Sequence, residues 1–155
     1  MNTKRGKSHF TQWTGQFAVA AELSRRGYLV SLTLGNTPAT DLFCQHMNGG
    51  PAFGLQVKSL ATNTFFPVSK LEDGQLDDLF ALVYIPARES QPLEFYIAKR
   101  SELIKVMHEY VPTRRKIPKG VEHAPFSTGV TYRALKIQAA AFKDQWDKLP
   151  KGISE

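Results

Sequence analysis

Gly35-Asn36-Thr37-Pro38-Ala39-Thr40-Asp41, followed by Gly54-Leu55-Gln56-Val57-Lys58-Ser59, is the stretch whose reading decides the fold. A turn-rich segment delivers Asp41 at the start of an apolar run, Leu42-Phe43-Cys44. A second turn, Asn48-Gly49-Gly50-Pro51, reverses the chain into Leu55-Gln56-Val57-Lys58. Two short strands joined in this way form an antiparallel hairpin. Residues two apart on a strand share a face, so Gln56 and Lys58 point together and Leu55 and Val57 point the other way. A carboxylate, an amide carbonyl and an ammonium then converge at one end of a sheet. Such a set can hold a hard cation and face a phosphate.

Upstream, helical spacing of Trp13, Phe17, Ala20, Ala21 and Leu23 predicts an amphipathic helix over 11–26, with these residues as its buried stripe. Gln16 falls on the edge of that stripe, three and seven residues before Val19 and Leu23. Arg25 and Arg26 suit the last turn and Gly27 the C-cap. Tyr28 to Leu34 reads as a strand. Downstream, Phe65 to Val68 is a candidate edge strand and 71–74 a loop. Leu79 to Ile85 is a continuous apolar run, expected to be a central strand buried on both faces. Leu93 to Ala98 returns as a strand, and Ser101 caps a helix ending near Tyr110. Ala134 to Ile137 reads as a short strand, and Gln138 to Leu149 as a last helix with Phe142 and Trp146 on one face. The expectation is one α/β domain over 1–155, a central mixed sheet flanked by helices.

A length of 155 residues is enough for a real core. The net charge of +6 favours polyanionic partners. Lys4, Arg5 and Lys7 open the chain with no acid among them, either as a solvated arm or as a tether to a phosphate backbone. Arg114, Arg115, Lys116 and Lys119 sit between prolines in a stretch expected to be an exposed basic loop. The single cysteine, Cys44, excludes an intramolecular disulfide and a cysteine-clustered zinc site, and its apolar neighbours predict a buried structural thiol. His9, His46, His108 and His123 lie far apart in sequence. No run approaches about 18 apolar residues and the N-terminus has no apolar h-region, so no membrane partner and a cytoplasmic location are expected.

The order of helix, strand, Asp41 strand and Gln56-Val57-Lys58 strand resembles the PD-(D/E)-x-K nuclease superfamily, the restriction-endonuclease-like fold. It is similar to the branch holding archaeal Holliday-junction resolvases and their bacterial relatives. The similar residues run from Thr14-Gly15-Gln16-Phe17 to Gly27, then through Asp41 and Leu55 to Lys58. The likeness covers about 11–110, leaving 111–155 as an extension. It implies a metal-dependent DNA endonuclease using Mg²⁺ or Mn²⁺. Asp41 is implied as the metal-binding aspartate, Gln56 as a ligand standing where an acid is usual, and the Val57 carbonyl as a backbone ligand. Lys58 is implied as the lysine that orients water and stabilises charge, and Gln16 stands where many resolvase-like members carry a glutamate. Relatives that cut two strands often pair, so a homodimer joins DNA as an implied partner.

Two departures keep a second reading open. Glutamine replaces the expected acid at both 16 and 56, leaving Asp41 the only carboxylate of the set. A Gln carbonyl ligates Mg²⁺ without adding charge. The alternative is a nuclease-fold protein whose metal site has decayed, acting as a nucleic-acid-binding or assembly subunit. A third is an interaction module sharing only the architecture.

Overall fold

The computed structural model describes residues 4–33, 40–68, 74–109 and 129–153, with residues 4–7 as backbone only. Helix α1 (Lys4–Arg25) leads into β1 (Tyr28–Leu32), β2 (Leu42–His46) and β3 (Phe53–Leu60), each antiparallel to the one before. A short β4 (Phe65–Pro67) precedes β5 (Leu79–Tyr84), which pairs in parallel with β3, and β6 (Glu94–Lys99) closes antiparallel on β5. The result is a mixed five-stranded sheet, ordered β1-β2-β3-β5-β6. Helix α2 (Arg100–Glu109) follows β6 directly, and β7 (Gly129–Thr131) pairs antiparallel with β4 away from the main sheet.

Strand alternation divides the side chains between two cores. On one face, Val19 and Leu23 of α1 pack on Leu42, Leu55, Val57, Ala81, Val83 and Ile97. On the other, Leu103 and Val106 of α2, with Phe66 and Val130 from the β4–β7 pair, cover Phe80, Leu82, Tyr96 and Ala98. β5 is buried on both faces, as its unbroken apolar run predicts. Each buried Val, Leu, Ile or Phe side chain here stabilises the fold by roughly 1.5–3 kcal/mol relative to exposure. Cys44 is buried, and desolvation pushes its thiol up to about 12. No described helix is long and apolar enough to cross a membrane.

Several expectations need correction. Helix α1 starts at Lys4, so the basic residues of the supposed arm belong to its first turns. The period of α1 was legible but its phase was not. The buried positions are Gly15, Gln16, Val19 and Leu23, whereas Trp13, Phe17 and Ala21 are exposed. Close approach decides the phase, because α1 meets β3 at Gly15, where any Cβ would collide with Ser59 Oγ.

Residues 134–137 are helical, not extended. They belong to α3 (Tyr132–Ile137), which Thr131 caps by accepting from the Ala134 amide at 3.2 Å. The last helix is broken into α4 (Ala139–Phe142) and a 3₁₀ turn at Trp146–Lys148. Between them Asp144 turns at φ 54° and donates its amide to Phe95 O at 2.9 Å, while Lys143 bridges to Tyr96. The chain thereby wraps the free edge of β6. Phe142 ends in one core and Trp146 in the other, so they are not a staple on one helix face. Gly27 takes φ +82°, the left-handed conformation that closes α1.

Candidate functional site

The site lies where β3 outlasts its neighbour. Pairing between β2 and β3 ends at Leu42↔Leu55, whereas β3 continues to Leu60 alongside β5. Beyond that last rung, one edge of β3 has no strand paired to it among the described residues. Asp41 stands at the opening with its backbone held on both sides. Its amide donates to Leu55 O at 3.1 Å and its carbonyl accepts from the Thr33 amide at 3.0 Å. The Thr33 hydroxyl donates to Thr40 O at 2.7 Å.

The Asp41 side chain turns at this bend toward α1 and the β3 edge. Its Oδ2 accepts from the Val57 amide at 2.8 Å, supplying the partner that β2 no longer provides. Its Oδ1 accepts from Gln16 Nε2 at 2.9 Å, and Gln16 is buried. An N–H and C=O of one strand residue point to the same side, so the Val57 carbonyl also faces the open edge.

Lys58 reaches the same place from the other face of the strand. In register it stands beside Leu82, on the α2 side of the sheet. It nevertheless lines, together with Asp41, Ser8, Thr11, Gln12 and Thr62, a cleft of about 650 Å³ between the N-terminal half of α1 and the end of β3. Lys58 has no hydrogen bond or ion pair among the described residues. Gln56 shares the Lys58 face but is not among the residues lining the cleft. Gln16 therefore touches the carboxylate, Lys58 shares its cleft, and Gln56 stands apart. The side chains of Lys4, Arg5 and Lys7, and all of Arg114, Arg115, Lys116 and Lys119, fall outside the described residues.

Sequence reasoning passed over the lining residues Ser8, Thr11, Gln12 and Thr62. Gln12 precedes Gln16 by one helical turn, a spacing that puts both on one face. Thr62 follows the end of β3, and no local pattern marks it.

No family model, curated protein or solved structure matches the chain. The cleft's own donors and acceptors define its chemistry. Among the described residues no three His, Cys, Asp or Glu side chains gather to hold a metal. A carboxylate oxygen has two lone-pair sites, so each Asp41 oxygen keeps one beyond its present hydrogen bond. Mg²⁺ is commonly bound by one or two carboxylates, with water and substrate phosphate completing its shell. Asp41 and the Val57 carbonyl fit an ion shared with a phosphate. They do not fit one caged by protein alone.

A second polar cluster, on the α2 side of the sheet, serves packing. Glu94 accepts from Tyr96 at 2.5 Å and from Tyr132 at 3.0 Å. Burial pulls the Glu94 carboxyl upward, but the two hydroxyls hold it below its ordinary value. Both tyrosines are shifted upward, first by burial and then by that carboxylate. Tyr132 also stacks on Tyr84, centroids 3.9 Å apart, which ties the β7–α3 corner to the sheet.

Proposed function

We propose that the chain takes a DNA backbone into the cleft at the open edge of β3 and hydrolyses a phosphodiester there, assisted by Mg²⁺ or Mn²⁺. One observation carries this reading: a carboxylate fixed by two N–H donors, and an ammonium with no hydrogen bond or ion pair among the described residues, line the same cleft. Lys58 attracts the phosphate and stabilises the charge that grows on its oxygens during attack. Gln16 and Val57 hold Asp41 in one orientation, so little reorganisation is needed when substrate arrives. The exposed Ser8 hydroxyl is a donor for phosphate oxygens. A bound metal ion supplies Lewis-acid polarisation of the phosphate and a more acidic water, with Asp41 and the Val57 carbonyl as the groups to hold it. The net charge of +6 draws DNA to the protein.

The test is nicking of supercoiled plasmid and of branched DNA, with Mg²⁺ and in excess chelator. Lys58→Ala is expected to slow cleavage by roughly 10²–10³, the usual worth of one preorganised donor. Asp41→Ala should abolish it. Full activity in either variant, or equal cleavage in chelator, ends this reading.

A second reading is DNA binding without hydrolysis. It is favoured by Gln16, which gives Asp41 a neutral amide where the resemblance implies an acid. On that reading binding weakens steeply with salt, by about −0.9 in log–log slope per phosphate contacted. Mg²⁺ then changes neither the melting temperature nor the DNA.

A further inference from the structure

The connection from β3 to β4 borders two hollows. Thr62 lines the cleft. Asn63 and Thr64 line a groove of about 840 Å³, which they share with Thr131, Arg133, Lys136 and Ile137 at the start of α3. The Thr62 and Thr64 hydroxyls are hydrogen-bonded at 2.9 Å, so the ridge between cleft and groove is narrow. The groove is tied to that ridge by its backbone. The Tyr132 amide donates to Thr64 O at 3.1 Å, and Phe65 pairs with Thr131.

The groove is basic. No Asp or Glu stands among the described residues that line it. Arg133 and Lys136 are both exposed and three residues apart, so they share one face of α3. Lys136 lies over the Tyr132 ring, 5.4 Å from its centroid, and helps to hold the Glu94 carboxyl low, but it forms no ion pair among the described residues. Arg133 makes no hydrogen bond, ion pair or ring contact there at all.

We infer that the groove is a track for the DNA strand held in the cleft: the strand crosses the Thr62–Thr64 ridge, and its next phosphates meet Arg133 and Lys136. The inference rests on the DNA reading above and adds the path of the bound strand. Distance fits. From Thr62 to Thr64 the backbone spans at most about 7 Å, roughly two nucleotides at 3.4 Å each along one strand. Chemistry fits as well, because guanidinium pairs with phosphate through two parallel hydrogen bonds, and the Asn63 amide is a further donor for the backbone. An acidic peptide would match the charge of the groove alone. A repeating anion accounts for Lys58 in one hollow and Arg133 in the next.

The test is binding of a labelled duplex of about two helical turns, roughly 20 base pairs, in chelator over a range of salt. Arg133→Ala with Lys136→Ala is compared with Arg25→Ala with Lys151→Ala. The second pair removes the same charge beside the C-terminal end of α1, whereas the cleft lies along its N-terminal half. At about −0.9 in log–log slope per phosphate, the groove variant should flatten the salt dependence by roughly 1.8. A fourfold rise in salt then costs it about 12-fold less affinity than it costs the wild type. The control pair should keep the wild-type slope, and circular dichroism should be unchanged in both. Equal slopes in the two double variants overturn the track and leave the cleft reading untouched. A wild type that binds no duplex, with or without Mg²⁺, overturns both. A flattened slope without any cleavage in Mg²⁺ defeats hydrolysis and leaves the track standing.

Discussion

The two halves of the sheet are built to different standards of closure. Around β5 and β6 both faces are sealed, by α1 and the Trp146 segment on one side and by α2, α3 and the β4–β7 pair on the other. Around β1 and β2 the described residues cover only the α1 face, and Leu29 and Phe43 of the opposite face are exposed. The cleft lies where these halves meet, on the strand that belongs to both. A sealed half supplies rigidity, and a half open on one face gives a large ligand access. Lys58 stands at that boundary: beside Leu82 of β5 in register, and beyond the last described pairing of β3 with β2.

Truncating apolar side chains in the two halves should show the largest difference between them. Leu82→Ala, at a fully buried position of the sealed half, should cost about 2–5 kcal/mol. Phe43→Ala, half-exposed in the open half, should cost no more than about 1 kcal/mol, nearer the surface range. Urea denaturation of both variants checks this, and equal losses would mean the open half is no more tolerant than the sealed one.

An intermediate effect is expected at the boundary. Gln16→Glu sets a second carboxylate beside Asp41 at almost constant size. In chelator the like charges should lower the melting temperature, because two adjacent carboxylates resist joint ionisation. Mg²⁺ at about 100 times its dissociation constant should return roughly 2.7 kcal/mol. Thermal melts with and without Mg²⁺ read it directly. A variant that Mg²⁺ does not stabilise would show that the cleft lacks the oxygen geometry for a cation.

The smallest effect belongs to the sealed half and to pH. Glu94 titrates below its ordinary value when folded, so its contribution is present above the unfolded carboxyl pKa and is lost as pH falls through the lower, folded one. Tyr96 and Tyr132 are raised, so their contribution is complete below the unfolded phenol pKa of about 10 and declines as pH rises beyond it. Glu94→Gln should flatten the acid limb of the stability profile. An acid limb identical to that of the wild type would place its cause elsewhere.

How much of this was legible in the sequence follows from the range of the forces involved. The hairpin from Asp41 to Lys58 and the buried run of β5 are written in local alternation, and the structure has both. The mixed sheet flanked by helices follows from them. The phase of α1 was hidden because it depends on Gly15 meeting Ser59, residues far apart in sequence, and two aromatics in an apolar stripe outweighed one glycine. The split of the last helix was hidden for a similar reason. Phe142 and Trp146 have helical spacing, but the unpaired edge of β6 draws Lys143 and Asp144 into backbone contacts. In the site, facing residues on one strand are legible, so Gln56 and Lys58 do share a face. Which of the two reaches the cleft is a tertiary fact: Lys58 lines it and Gln56 does not.

The contact between Gly15 and Ser59 also works as a gauge for the cleft. The helix that carries Gln16 rests on the strand that carries Lys58 with only the Ser59 side chain between them at this point. The spacing of the two jaws is set by a missing methyl group. Gly15→Ala would act as a shim, lifting α1 and drawing the Gln16 amide away from Asp41 while every residue lining the cleft kept its identity. Gly15→Ser combined with Ser59→Gly transfers the same atoms from strand to helix and should bring the gap back toward its original width. Jaw width is thus adjustable at Gly15, which does not line the cleft, whereas the double exchange also takes the Ser59 hydroxyl out of the cleft wall.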